Sequence, residues 1–245
     1  VVDSEAAREE ERMSERLRAR MLLVSMLSIM VLTVAMVVPA EAARSADSMV
    51  IPPQASAFGK SYGEWSAAWW NWVLMTPADK NPLMNEGASC AENQDGQVWM
   101  LVGSFGEDPV TRTCTIPTGK AILIPIINTA WIAFPGETDE DWVNGIKLAE
   151  DWVASVDMDS LKFLINGAPV SNLAAYEVEP TELVYGPLPE GAIWELPAGL
   201  EAKLYSVGFY VLIKPLPPGS YTVHLEGANA SFSQNVTYEL TVAKR

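Results

Sequence analysis

Thr222, His224 and Glu226 alternate with Val223 and Leu225 along one stretch, and Glu239 falls in a second where Val236, Tyr238, Leu240 and Val242 alternate with Thr237, Glu239 and Thr241. Alternation of this kind makes strands with one apolar and one polar face, so all four polar side chains are expected on the wet side of one sheet. The chain has a single histidine, so His224 is the one side chain that can serve as a triad base. Glu226 and Glu239, on neighbouring strands, are the pair that a polysaccharide hydrolase working through two acids would use, at a separation of roughly 5 to 10 Å. A serine nucleophile lacks its motif: Gly103-Ser104-Phe105-Gly106 carries Val102 where a nucleophile elbow needs its first glycine. Wet strand faces carry histidine and glutamate routinely. A surface or hydrogen-bonded role is therefore preferred, and no catalytic residue is assigned.

Metal chemistry has less to work with. One histidine and two cysteines, Cys90 and Cys114, do not make a zinc or copper site. The acidic run Glu137-Thr138-Asp139-Glu140-Asp141 suggests Ca²⁺, but it opens a predicted helix, where carboxylates offset the positive end of the dipole. Asp157-Met158-Asp159 offers two carboxylates without the remaining ligands or the glycine of an EF-hand loop. No metal and no cofactor is expected. The two cysteines are expected to form a disulfide, contributing roughly 3 to 4 kcal/mol by loop closure.

These residues need a scaffold, and the periodicity supplies one. Ser61 and Glu64 have capping-box spacing, and Tyr62, Trp65, Trp69 and Trp72 follow at helical intervals, predicting a helix near 61–76. Its stripe is read as core packing. Trp70 falls off the stripe and is the candidate surface or pocket aromatic. Thr138 and Asp141 cap a second helix near 138–157, with Trp142, Ile146, Ala149, Val153 and Val156 on one face. Val98 to Gly103 and Cys114 to Asn128 read as two β segments tied by the disulfide. The run Ala121 to Ile127 suits a strand buried on both faces, with Pro125 forcing an edge or a bulge. After Leu161 the chain alternates strand and turn: Asn166-Gly167 suits a hairpin turn with a return over Val170 to Val178, and further strands follow at Tyr205–Ile213, Tyr221–Glu226 and Val236–Val242. The fold class expected is mainly β, an antiparallel β-sandwich of immunoglobulin-like or jelly-roll-like kind, with two packed helices.

The N-terminal part is set apart. Arg16, Arg18 and Arg20 precede an apolar run from Met21 to Val38, and Pro39-Ala40-Glu41-Ala42 supplies a small-residue site. Residues 1–42 are read as an export signal cut after Ala42, with an uncut membrane anchor as the alternative. Residues 43–59 are read as a leader or linker and 60–245 as a single domain, periplasmic or extracellular. From Ala43 onward there are 11 basic and 24 acidic residues, a net −13, which repels nucleic acid. Membrane contact is expected only through the signal segment if it stays uncut. Asn229-Ala230-Ser231 and Asn235-Val236-Thr237 match the glycosylation pattern.

Three stretches, YGEWSAAWW at Tyr62 to Trp70, CTIPTGKAI at Cys114 to Ile122 and PLPPGSYTVHLEG at Pro215 to Gly227, resemble a group of exported bacterial proteins carried as hypothetical. The likeness spans most of the chain after Ala42 and implies a shared fold. No activity attaches to that group, so the resemblance assigns no residue a role. The last hairpin is similar to those of secreted immunoglobulin-like modules. With nine tryptophans on a β-rich scaffold and no phosphate loop, nucleophile motif or metal constellation, the expected function is non-catalytic binding or structural support in the envelope or outside the cell, with a glycan or an envelope protein as partner. An acid-residue hydrolase and a calcium-stabilised module are the alternatives. The binding candidates are Trp70, Thr222, His224, Glu226 and Glu239.

Overall fold

A computed structural model describes residues 45–105 and 108–244. The expected export signal and its cleavage site lie outside the described residues. Helices α1 (Ala46–Met49), α2 (Tyr62–Leu74) and α3 (Asp139–Ala154) accompany nine strands: β1 (Val98–Met100), β2 (Val110–Pro117), β3 (Ala121–Ile132), β4 (Lys162–Ile165), β5 (Ala168–Pro169), β6 (Thr181–Tyr185), β7 (Ala202–Ile213), β8 (Gly219–Ala228) and β9 (Ser233–Ala243). They form a four-stranded sheet in the order β1-β3-β7-β6 and a five-stranded sheet in the order β2-β9-β8-β4-β5.

The chain is mainly β, as the alternation predicts, but it is not purely antiparallel. β1 pairs with β3, and β2 with β9, in parallel. A short turn forces antiparallel pairing; β2 and β9 are separated by most of the domain and carry no such constraint. The two sheets share one core. Val223, Leu225 and Gly227 of β8 and Val236, Tyr238 and Leu240 of β9 point inward, and Gly227 lies against Ile127 of β3. The Tyr238 hydroxyl accepts from Val102 N at 3.2 Å and donates to Val102 O at 2.9 Å, tying the two layers together.

β3 and β7 are apolar on both faces because both are covered. The outer face of their sheet receives α2, whose Tyr62 hydroxyl accepts from Leu212 N and donates to Ile51 O and whose Ser66 meets Ser206 at 3.0 Å, fully buried. Trp69 Nε1 donates to Leu101 O. The register of β3 against β7 slips between Pro125 and Ile127: the bulge expected of a proline that cannot donate to a ladder. Both capping boxes form, Ser61 with Glu64 and Thr138 with Asp141.

Four details depart from the sequence reading. Residues 46–50, read as leader, form α1 and dock through Asp47 on Ser171 and through a bridge from Val50 to Ile213; two buried apolar residues, Ala46 and Val50, are too few to show a period. The span from Cys114 to Asn128 is two strands in different sheets, divided by the turn at Thr118-Gly119-Lys120. The disulfide forms, but it joins a loop at Cys90 to β2 rather than one strand to another. The return strand after Asn166-Gly167 stops at Pro169, and Val178 instead donates its N–H to Gly208 of β7. Among the described residues no helix is long and apolar enough to cross a membrane.

Candidate functional site

The polar face of the five-stranded sheet holds four of the five candidate residues. Pairing of β8 with β4 and β9 sets Lys162, Glu226 and Asn235 in one row and His224 beside Thr237 in the next. Lys162 Nζ bonds Glu226 Oε2 at 2.6 Å, His224 Nε2 meets Glu226 Oε1 at 2.8 Å, and His224 Nδ1 meets Thr237 Oγ1 at 3.0 Å. The Lys162 ammonium, followed by the His224 contact, holds the Glu226 carboxyl below the usual glutamate range. A carboxylate so engaged by Lys162 and His224, with Asn235 Nδ2 also donating to its Oε1 at 3.4 Å, is an acceptor already in use, not a proton donor awaiting substrate.

The supposed acid pair does not assemble. Glu226 lies opposite Asn235 while Glu239 lies opposite Thr222, four residues further along. At about 3.3 Å per residue their Cα positions are about 13 Å apart along the strand, wider than the roughly 5 to 10 Å between the two acids of a glycosidase. Thr222 and Glu239 border an open basin instead, with Thr111, Thr113, Thr115 and Thr241 beside them and the loop at residues 86–91 as its wall. The disulfide to Cys114 pins that loop over the edge of β2. Asp157 and Asp141 are spent on local caps, Asp157 accepting from Asp159 N and Asp141 from Thr138 N. Among the described residues no group of three or more His, Cys, Asp or Glu side chains could hold a metal ion.

Trp70 lies elsewhere. It is buried, and its ring forms part of a separate cleft of about 480 Å³ whose lining holds seven aromatic residues and no charge: Trp70, Phe105, Trp131, Phe134, Trp152, Trp194 and Phe232, with Asn128, Thr129, Ala130, Ile132 and Ser231. Two chains of rings make its walls. Trp70 meets Trp194 at 6.3 Å and Trp194 meets Phe105 at 6.4 Å; on the other side Trp152 meets Phe232 at 5.9 Å. The first wall continues into the core through the edge-to-face pair Trp69–Trp70 at 5.0 Å, which fixes the Trp70 ring.

Each wall has an identifiable support. Trp131, near the end of β3, lies on Gly145 of α3, where any side chain would overlap its ring, and the Trp131 indole N–H is enclosed without a hydrogen-bond partner. Asn229 accepts from Ser231 N and Phe232 N, shaping the β8–β9 turn that presents Phe232. Trp194 stands in left-handed backbone at φ 54°, followed by Glu195 at φ 56°. Two consecutive non-glycine residues there cost on the order of 1 kcal/mol each. The buried neighbours Ile193 and Leu196 hold the turn, and the Trp194 ring, 43% exposed, is directed into the cleft.

The sequence reading picked out only Trp70 of these seven. Of the others, Trp152 is on α3 but not among the apolar positions that define its face, and the rest sit near a strand end or in loops and turns, where no periodicity reports on them. One local signal existed: Trp194 is the single aromatic residue between Gly186 and Glu201, a stretch rich in proline and glycine. The five candidates thus divide, Trp70 lining the aromatic cleft while Thr222, His224, Glu226 and Glu239 share the polar sheet face. Comparison with protein-family profiles, with curated proteins and with solved structures found no match to this chain.

Proposed function

We propose that this chain is an exported, non-catalytic recognition domain of immunoglobulin-like architecture that binds its ligand in the aromatic cleft. Export is supported by the basic and apolar N-terminal sequence and by the Cys90–Cys114 disulfide, a bond that persists in oxidising compartments. The immunoglobulin reading is supported by strand order. Taking β3, β7 and β6 as B, E and D, and β2, β9, β8, β4 and β5 as A′, G, F, C and C′, the order of these eight strands supports an immunoglobulin reading, as does the parallel A′–G pair. Tyr221, at the start of the F-like strand, donates its hydroxyl to Pro217 O at 2.9 Å, the geometry of a tyrosine corner. Three departures stand out: β1 runs parallel to the B-like strand, buried Val223 replaces the second cysteine of the usual inter-sheet bridge, and α3 is inserted between the B-like and C-like strands.

The observation that carries the binding reading is the uncharged cleft with its seven aromatic residues, one presented from strained backbone. Such walls suit the apolar face of a glycan or the side chains of a protein segment. The test is a thermal-shift and tryptophan-fluorescence panel of soluble glycans and peptides on the disulfide-bonded protein. A ligand at a hundred times its Kd adds about 2.7 kcal/mol, on the order of 5 to 10 °C for a domain this size. Trp194→Gly and Trp152→Ala are expected to remove the shift, and Glu226→Gln to keep it. Loss with Glu226→Gln and retention with Trp194→Gly would move the site to the polar face.

A further inference from the structure

The floor of the aromatic cleft is a strand edge, not a side-chain surface. β1 pairs with β3 only from Ala121 to Leu123. Beyond that point the chain leaving β1 is wedged away by Gln234: its Oε1 accepts from Ser104 N at 3.0 Å and its Nε2 donates to Ile126 O, while Gly103 leaves room for the amide. From Asn128 to Ile132, β3 therefore has a partner on one side only, β7.

The direction of the free groups follows from the ladder. Ala133 N donates to Lys203 O, and in an antiparallel pair alternate residues bond to the same side, so Thr129 and Trp131 face β7 as well. Asn128, Ala130 and Ile132 turn their N–H and C=O groups away from β7, into the cleft. Among the described residues no group bonds them there. An open edge is a template for another strand, and proteins normally blunt it with charge or proline. This one carries neither; aromatic walls rise on both sides of it.

We propose, resting on the recognition reading above, that this edge takes an extended apolar segment of a partner protein as an added strand. Backbone groups at the spacing of a β-ladder are met in full by another peptide backbone, and a strand's alternate side chains point to opposite faces. Here one set meets Trp70, Trp194 and Phe105 and the other meets Trp152 and Phe232. Charge selects the flanks of the segment. The lining is uncharged, while exposed Glu195 follows Trp194, and Glu137, Asp139 and Glu140 follow Phe134, with Glu137 Oε2 enclosed and unpaired. Lysine or arginine beside the apolar stretch complements them. A second copy of this chain is disfavoured as occupant by the net charge of −13 carried from Ala43 onward.

The probe is a capped Lys-Val-Leu-Val-Thr-Val-Lys peptide, titrated by tryptophan fluorescence alongside its fully N-methylated form, with amide exchange followed residue by residue. Strand addition predicts that the amides of Ala130 and Ile132 become protected while those of Thr129 and Trp131 do not change. The N-methylated peptide should bind at least about tenfold more weakly, since two or more backbone hydrogen bonds are lost. Equal affinity of the two peptides, or quenching without amide protection, overturns strand addition and leaves the cleft as a recognition site. If glycans quench the cleft and the peptide does not, the ligand class proposed here is wrong. No response to either probe removes both readings. Protection of the same amides without peptide, together with a dimer in sedimentation, would give the edge to a second copy.

Discussion

Glu226 is held by a lysine and a histidine on one face of a sheet, and its behaviour with pH follows from that. Its folded-state pKa is depressed, first by Lys162 and then by His224, so the stability it contributes is present above its unfolded value, about 4.3, and is lost as pH falls through the folded one. Glu226→Gln should cost about 0.5 to 1 kcal/mol at pH 7, the scale of a partly exposed pair, and that difference should shrink as pH falls below the unfolded value and vanish once pH is below the depressed folded one. Tm measured against pH for both proteins tests this; a constant difference would contradict it. Trp194 makes the opposite bargain. Trp194→Gly releases left-handed strain of about 1 kcal/mol and gives up contacts of a half-exposed ring. Tm should stay within about 3 °C of the parent while the cleft loses one wall.

At the scale of the element, α3 and the β8 corner are the points where sequence rules and tertiary packing disagree most usefully. Alanine for glycine inside a helix ordinarily stabilises by about 1 kcal/mol. Gly145→Ala should do the reverse, because the new methyl would overlap the Trp131 ring; overpacking of this kind costs about 1 to 3 kcal/mol. A lower Tm with a red-shifted tryptophan emission is the expected result, and a raised Tm would show that Trp131 moves freely. Tyr221→Phe removes the bond to Pro217 O and should cost about 1 kcal/mol in urea unfolding. The helices themselves are legible from sequence: Ser61 with Glu64 and Thr138 with Asp141 announce their starts, since a capping box is made of residues three apart. The strand from Val170 to Val178 was not, because only Val170 still bonds β4, through Phe163 O, before the chain turns at Leu173–Tyr176 and Glu177 and Val178 meet β7.

For the whole molecule the disulfide is the main covalent restraint. It closes a loop with a sequence separation of 24, worth about 3 to 4 kcal/mol by loop-closure entropy. Reduction should lower Tm on the order of 10 °C and free the loop that walls the threonine-lined basin. EDTA is expected to leave Tm unchanged, since the acidic runs at 137–141 and 157–159 are engaged as helix and turn caps. The molecule carries two separate faces, a hydrogen-bonded polar one and an aromatic one. The second joins an open backbone edge to the unpaired indole N–H groups of Trp70 and Trp131.

Alternation was enough to determine that β8 and β9 have a wet face and that Thr222, His224, Glu226 and Glu239 lie on it, because the period of a strand is a local property of two residues. Helix starts, the disulfide and the bulge at Pro125 were equally local in origin. Tertiary structure alone decided that Glu226 and Glu239 stand four positions out of register, that β2 runs parallel to β9, and that Trp70, Trp131, Trp152 and Trp194, spread over 125 positions of chain, meet around one strand edge. Register and direction depend on which strands become neighbours, and a cleft depends on which turns face each other. Neither is encoded at any fixed spacing, so no window along the chain contains it.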